Sequence, residues 1–257
     1  MCLIAWNWQP ASRHPLLLIA NRDEYYARPT LPLHWWHDAP ILAGRDLQAG
    51  GSWLGISRTG RLAALTNHRD PASVRVDAPS RGALVSAFLQ TELSASDYLT
   101  ELASRAADYN PFNLLVFDGT RLMGLESRHA KVITMQPGIG AVSNADFLTP
   151  WPKLSHLSAS LQTLLAQAHP SDAELLALLH NPTLAADDDL PTTGIPLEFE
   201  RALSAAFIAL PDYGTRASSV VRFEADSIAF LEQSFDTNGS TGTRQATTTL
   251  PNASQFK

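Results

Sequence analysis

Cysteine is nearly missing from this chain: among 257 residues only Cys2 carries a thiol. A single cysteine excludes an intrachain disulfide and fits a reducing compartment. Long hydrophobic runs are missing as well. No stretch reaches the ~18 apolar residues a membrane span requires, and the apolar run at 16–20 lies between Arg13 and Arg22. The basic start, longer apolar region and small-residue cleavage site of a secretory signal are absent. The expectation is a cytoplasmic protein without stable membrane insertion. Positive charge is in short supply: 19 Lys and Arg against 25 Asp and Glu give a net charge of −6 and a pI near 5.7. A general nucleic-acid binder would show a basic stripe, so nucleic acid is not an expected partner. Phosphate-loop, dinucleotide, HExxH and GxSxG patterns are also lacking, which removes the mechanisms those motifs carry.

What remains is the composition of a soluble globular protein, 45% hydrophobic and 17% charged. The segments CLIAWNW and PLLLIANRDE are apolar runs of strand length, separated by turn residues. SRTG sits between two alternating stretches and predicts a hairpin turn. From SRGALV to ASRAADY apolar residues recur at helical spacing, broken at SAS, which predicts two helices. Strands resume at FNLLVFDGTRLMGLES, and a second helical stretch follows, with Ser171 placed to cap and Glu174 three residues on. A short helix and a hairpin, SSVVRFEADSIAFLEQSF, come last. This order lacks regular βαβ alternation and predicts an α+β layered fold of mostly antiparallel sheets with helices outside them. Residues 1–235 read as a single domain. Beyond Phe235 the chain turns to Thr, Ser, Asn and Gly, so 236–257 is expected to be a flexible polar tail.

Several residues carry chemistry. A lone cysteine is most often a small buried hydrophobe. Cys2, however, follows the initiator methionine directly, and removal of Met1 would leave a thiol and a free α-amine on one carbon. That is a nucleophile with its own base. In ANRDE, an extended backbone sends Arg22 and Glu24 to one face and Asn21 and Asp23 to the other. Such a cluster is either a strand-end set of ion pairs or a guanidinium and a carboxylate that tune a thiol and an amine. Asn67 and Asn144 each end an apolar strand, as oxyanion donors or as Asx-turns. His34 and His37 flank two tryptophans without a cysteine or glutamate partner, which points to packing rather than a metal site.

Cys2, ANRDE, ARP, ILAGRD, GGSWLGI, LTNHRD, SRGALV, FNLLVFD, SNADFLTPWPK and DYGTRASSV occur in the order seen in the NRDE protein family, which includes the animal transport and Golgi organisation proteins. The chain resembles that family from residue 2 to about Val221. One departure is AVSN at 141–144, where the family favours GLSN. The family is itself similar to N-terminal nucleophile hydrolases that use cysteine, the group of bile-salt hydrolases and penicillin V acylases. The resemblance implies a four-layer αββα sandwich, with Cys2 as nucleophile, Arg22 as the thiol's cationic neighbour and Asp23 as the carboxylate at the amine. It further implies Asn67 in the oxyanion hole, Asn144 as the second asparagine, and a late arginine. Arg216 is the NRDE-family match for that arginine and Arg222 the hydrolase match. In the hydrolases the Arg and Asp are two residues apart; here they are adjacent, so a bulge or bend is needed for both to reach Cys2. With Arg22 and an ammonium close by, the thiol pKa is expected below the free value. The implied activity is hydrolysis of an amide or thioester in a small acylated molecule, with no cofactor required. The alternative on the same resemblance is a non-catalytic protein that binds and traffics haem, as a bound ligand, or lipid and acyl-CoA.

Overall fold

Apolar residues occupy nearly every position of β1 (Cys2–Trp8) and the first half of β2 (Leu16–Tyr25), so both faces of that hairpin must be covered. The computed structural model, which describes residues 2–167 and 169–250, shows two different covers. Cys2, Ile4, Trp6 and Trp8, with Leu16, Leu18 and Ala20, point into one core. Leu3, Ala5, Leu17 and Ile19 point into another.

A meander follows: β3 (Thr30–Trp35), β4 (Ile41–Asp46), β5 (Leu54–Ser57) and β6 (Leu62–Asn67). Helices α1 (Gly82–Gln90) and α2 (Ala95–Ala103) interrupt it before β7 (Phe112–Phe117), β8 (Leu122–Glu126) and β9 (Lys131–Thr134). These strands form a seven-stranded antiparallel sheet in sequence order. Next come β10 (Gly138–Val142), α3 (Pro152–Gln167), α4 (Asp172–Leu179) and α5 (Leu197–Ala202), then β11 (Tyr213–Phe223), β12 (Ser227–Asp236) and β13 (Gly239–Thr249). The six-stranded antiparallel sheet has the order β10–β1–β2–β11–β12–β13.

The first core lies between the two sheets, where Trp8 and Phe223 pack edge-on against Phe117. The α1–α2 pair covers the outer face of the seven-stranded sheet through Leu84, Val85, Phe88, Leu99 and Leu102. The α3–α4 pair covers the six-stranded sheet through Leu154, Leu157, Leu161, Leu175 and Leu179. The result is the αββα sandwich the sequence leads one to expect. Local sequence signals hold in the structure: Ser171 and Glu174 form a reciprocal capping box on α4, and Ser57 to Gly60 turn between β5 and β6. Among the described residues no helix is long and apolar enough to cross a membrane.

One expectation fails. The stretch after Phe235 is not a flexible tail through its described part: β12 continues to Asp236, and β13 pairs along its length with β12. Composition undercounts such a segment, because an added edge strand draws on backbone hydrogen bonds and needs few apolar side chains. Only Thr248 of β13 is buried, while Ala246 and Leu250 pack against the inter-sheet core. The rest of the expected tail, 251–257, lies outside the described residues.

Candidate functional site

β2 does not end where its apolar run ends; it carries Asn21, Arg22, Asp23 and Glu24 within the sheet. Register then sets their directions. Cys2 pairs directly with Arg22 across the β1–β2 ladder, so both side chains share the inter-sheet face. Asp23 turns to the helix-covered face, where its Oδ1 accepts from Thr215 Oγ1 at 2.8 Å. The bulge that would bring both side chains to Cys2 is not in β2, whose ladder with β1 is unbroken; it lies on the neighbouring strand, where Thr215 pairs with Asp23 and Ala217 with Arg22, leaving Arg216 as the extra residue of β11. Arg216 donates to the carbonyls of Tyr25, Tyr26, Arg28 and Phe235, at 2.9, 3.0, 3.2 and 3.2 Å. It thereby ties the β2–β3 turn to β12.

Cys2, Arg22, Asp23, Asn67 and Arg216 line one cavity of about 640 Å³ at the end of the sandwich. Asn144 does not line it. That residue is fully buried, and its Nδ2 donates to the Asn67 carbonyl at 2.8 Å. The neighbouring Ser143 donates to the Cys2 carbonyl at 3.1 Å. The VSN strand end thus positions Asn67 and Cys2 from behind.

Arg222 is not brought to the site. It pairs with Leu17 near the far end of the β2–β11 ladder, and its guanidinium donates to Asp172 Oδ1 at 2.8 Å and to the Pro170 carbonyl at 2.6 Å. Five strand positions separate it from Ala217, which lies opposite Arg22, a rise of roughly 17 Å. Of the two arginines left open by the sequence, the cavity holds Arg216.

Cys2 is 6% exposed, and burial pushes its thiol up to about 11. That burial, with the Asp23 charge adding to it, overrides the expected depression by Arg22, whose charge is also committed elsewhere. The Arg22 guanidinium is shared with Asp46, at 3.5 Å, and Glu24, at 3.8 Å. Asp46 also binds Arg28 at 2.5 Å and accepts from the Gln48 and Ala49 amides. Beneath Asp23, the buried Lys153 of α3 donates to the Leu203 carbonyl at 3.0 Å. Burial pushes that ammonium down to about 8 and pushes the Asp23 carboxyl up.

Arg28, Asp46, Arg81 and Lys153 belong to ARP, ILAGRD, SRGALV and WPK, and nothing in those motifs by themselves assigns them a role. Hydrogen-bond and ion partners of a polar residue are set by tertiary placement, and no spacing rule announces them. Trp53 lines the cavity, whereas Trp35, Trp36 and Trp151 do not. Those three lie under Arg58, Arg45 and Arg69.

Comparison with known proteins agrees with this architecture. The chain is similar over 96% of its length to a mutant of the conjugated bile acid hydrolase from Clostridium perfringens, with a TM-score of 0.54 and 9% identity, covering 92% of that chain. At that identity the likeness is one of fold. It is 34% identical over 276 residues to the Transport and Golgi organization protein 2 homolog of Bos taurus, covering 97% of this chain and 98% of that protein. With the Homo sapiens homolog it is 34% identical over 259 residues, covering 91% and 93%. The profile of the Transport and Golgi organisation 2 family matches residues 1–237, and the chain belongs to that family.

Proposed function

We propose that the protein is an N-terminal cysteine acyl hydrolase acting on an amide or thioester of a small acylated molecule, once Met1 has been removed. The observation that carries this reading is the convergence of Cys2, Arg22, Asp23 and Asn67 on a single cavity, with Cys2 and Arg22 directly opposite in register. A thiol held protonated at neutral pH needs a base at the moment of attack. In this scheme the freed α-amine takes the thiol proton as the Sγ–carbonyl carbon bond forms, and Asn67 donates to the oxyanion. The amine then hands that proton to the departing nitrogen or sulfur as the acyl bond breaks. Water, deprotonated by the same amine, attacks the acyl-cysteine; the acid is released and the proton returns to Sγ. Asp23 orients the amine, and Asn144 acts only through Asn67.

Intact-mass spectrometry of the purified protein tests the premise. The expected result is a chain that starts at Cys2 and gains an acyl mass when mixed with an activated acyl thioester. Retained Met1 that no aminopeptidase removes would end the hydrolase reading.

The carrier reading has one observation in its favour, the thiol that burial pushes up to about 11. A carrier would hold an acylated molecule in the same cavity and leave it uncut. Haem is a poor occupant. Haem iron takes His, Cys, Met or Tyr as its axial ligand, and among the described residues only the protonated Cys2 of these types lines the cavity.

A further inference from the structure

The cavity wall contains five arginines, Arg22, Arg28, Arg45, Arg81 and Arg216. Four are committed within the protein. Arg22 and Arg28 share Asp46, Arg45 binds Asp38 at 2.8 Å, and Arg216 is spent on backbone carbonyls. Arg81 differs. The only hydrogen bond of its side chain among the described residues runs from Nη1 to the Pro111 carbonyl at 3.1 Å, with no carboxylate in ion-pair contact there. A half-buried guanidinium keeps its full charge and a planar fork of donors, which match carboxylate and phosphate oxygens in pairs. Leaving such a cation without a carboxylate in direct contact is unfavourable unless something else supplies one.

The backbone is built to bring Arg81 here. It is the residue before α1, and Gly82 packs against Gly51 so tightly that a Cβ on Gly51 would meet the Gly82 carbonyl carbon at 2.4 Å. The paired glycines of AGGSW let the start of α1 close onto the β4–β5 connection, and Ser80, Arg81 and Gly82 become cavity wall. Cys2 and Arg81 lie within each other's field: burial pushes the guanidinium down, and a Cys2 thiolate and, beyond ion-pair distance, the Glu24 carboxylate pull it back up.

We propose that Arg81 is the anion anchor of this cavity, receiving a carboxylate or phosphate of the bound molecule and restricting the ligands to acylated molecules that carry such a group. The inference rests on the reading of the cavity as the ligand site, which the hydrolase and carrier readings share.

The test compares alkylation of Cys2 by iodoacetate, an anion, with alkylation by neutral iodoacetamide. Both form the same S–C bond with loss of iodide, so their rate ratio cancels the ionised fraction of the thiol. Arg81→Gln should lower the iodoacetate-to-iodoacetamide ratio by roughly tenfold, the order expected for one lost charge-assisted contact. Arg81→Lys should keep most of it. In the parent protein, butyrate and butyl phosphate are then used as protectants against iodoacetamide, and the one that protects at lower concentration names the anion. An unchanged ratio in a folded Arg81→Gln protein overturns the proposal. So does failure of both protectants in the parent, a result that does not depend on the variant folding, and so does a Cys2 that neither reagent reaches. Retained Met1 with a charge-dependent ratio would instead sink the hydrolase reading and leave the anchor standing.

Discussion

The protonation of Cys2 is open to a quantitative check. A thiol at about 11 is ionised to about one part in 10⁴ at pH 7, against about one part in 30 for a free thiol near 8.5. Alkylation at pH 7 should therefore run about 300-fold slower than for free cysteine, before access is counted. The same shift bears on stability. The unfolded chain gives up this proton near pH ~8.5, while the folded chain holds it to about 11. The folded pKa is the higher one, so the contribution is whole below the unfolded value and is lost as pH rises toward the folded value. The total is about 3 kcal/mol at the upper end of that window. Lys153, pushed down to about 8, titrates in the same region, so the readout is a difference. Urea melts of the parent and of Cys2→Ala, taken at steps from pH 8 to 10.5, should show the parent losing stability faster than the variant. Parallel slopes, or a labelling rate with its half-point below the free-thiol value, would refute the claim that burial outweighs Arg22.

Arg69 and Glu200 form an ion pair at 2.5 Å with both side chains 4% exposed; Arg69→Met should cost about 3–5 kcal/mol, because a buried carboxylate loses its cation. A calorimetric scan should then place Tm lower by roughly 6–10 °C at the size of this chain, and a drop under two degrees would contradict the burial of the pair. Asn144→Ala removes the donor to the Asn67 carbonyl and should cost about 1–3 kcal/mol in urea melts, with any acyl transfer falling further than stability predicts. Gly140→Ala drives a Cβ to 2.3 Å from the Trp6 ring, so a loss of about 1–3 kcal/mol is expected from overpacking; a neutral result would mean that ring can move. A chain ended at Phe235 strips β12 of the partner strand along its outer edge and should melt well below the full chain, whereas an unchanged Tm would restore the flexible-tail reading.

The fold was legible because its signals are local and periodic. Ile4 and Trp6 against Leu3 and Ala5 announce a strand buried on both faces, and Ser171 with Glu174 announces a helix start. The strand β13 was not legible, since a run of Thr, Ser and Gly becomes ordered only through the neighbour that receives it. The site was legible in part. Cys2, Arg22, Asp23 and Asn67 were named and do share a cavity. Their ionisation was not, because burial of Cys2 between the sheets outweighs the Arg22 charge, a balance that no local pattern announces. Arg222 went astray for a related reason: pattern matching placed it on the right strand, but the ladder carries it away from Cys2.

The edge strand also bears on how the molecule opens. From Gly239 to Gln245 every residue of β13 is exposed, and the register slips between Ser234 and Phe235. A strand that anchors so few side chains has little to hold it in place once its ladder loosens. Amide hydrogens there should exchange earliest in that sheet, with protection rising inward through β12 and β11 to the β1–β2 hairpin. Since β12 supplies Glu232 and Phe235 to the cavity wall, transient release of this outer strand would loosen one side of the chamber while Cys2 and Arg22 stay locked together in their ladder.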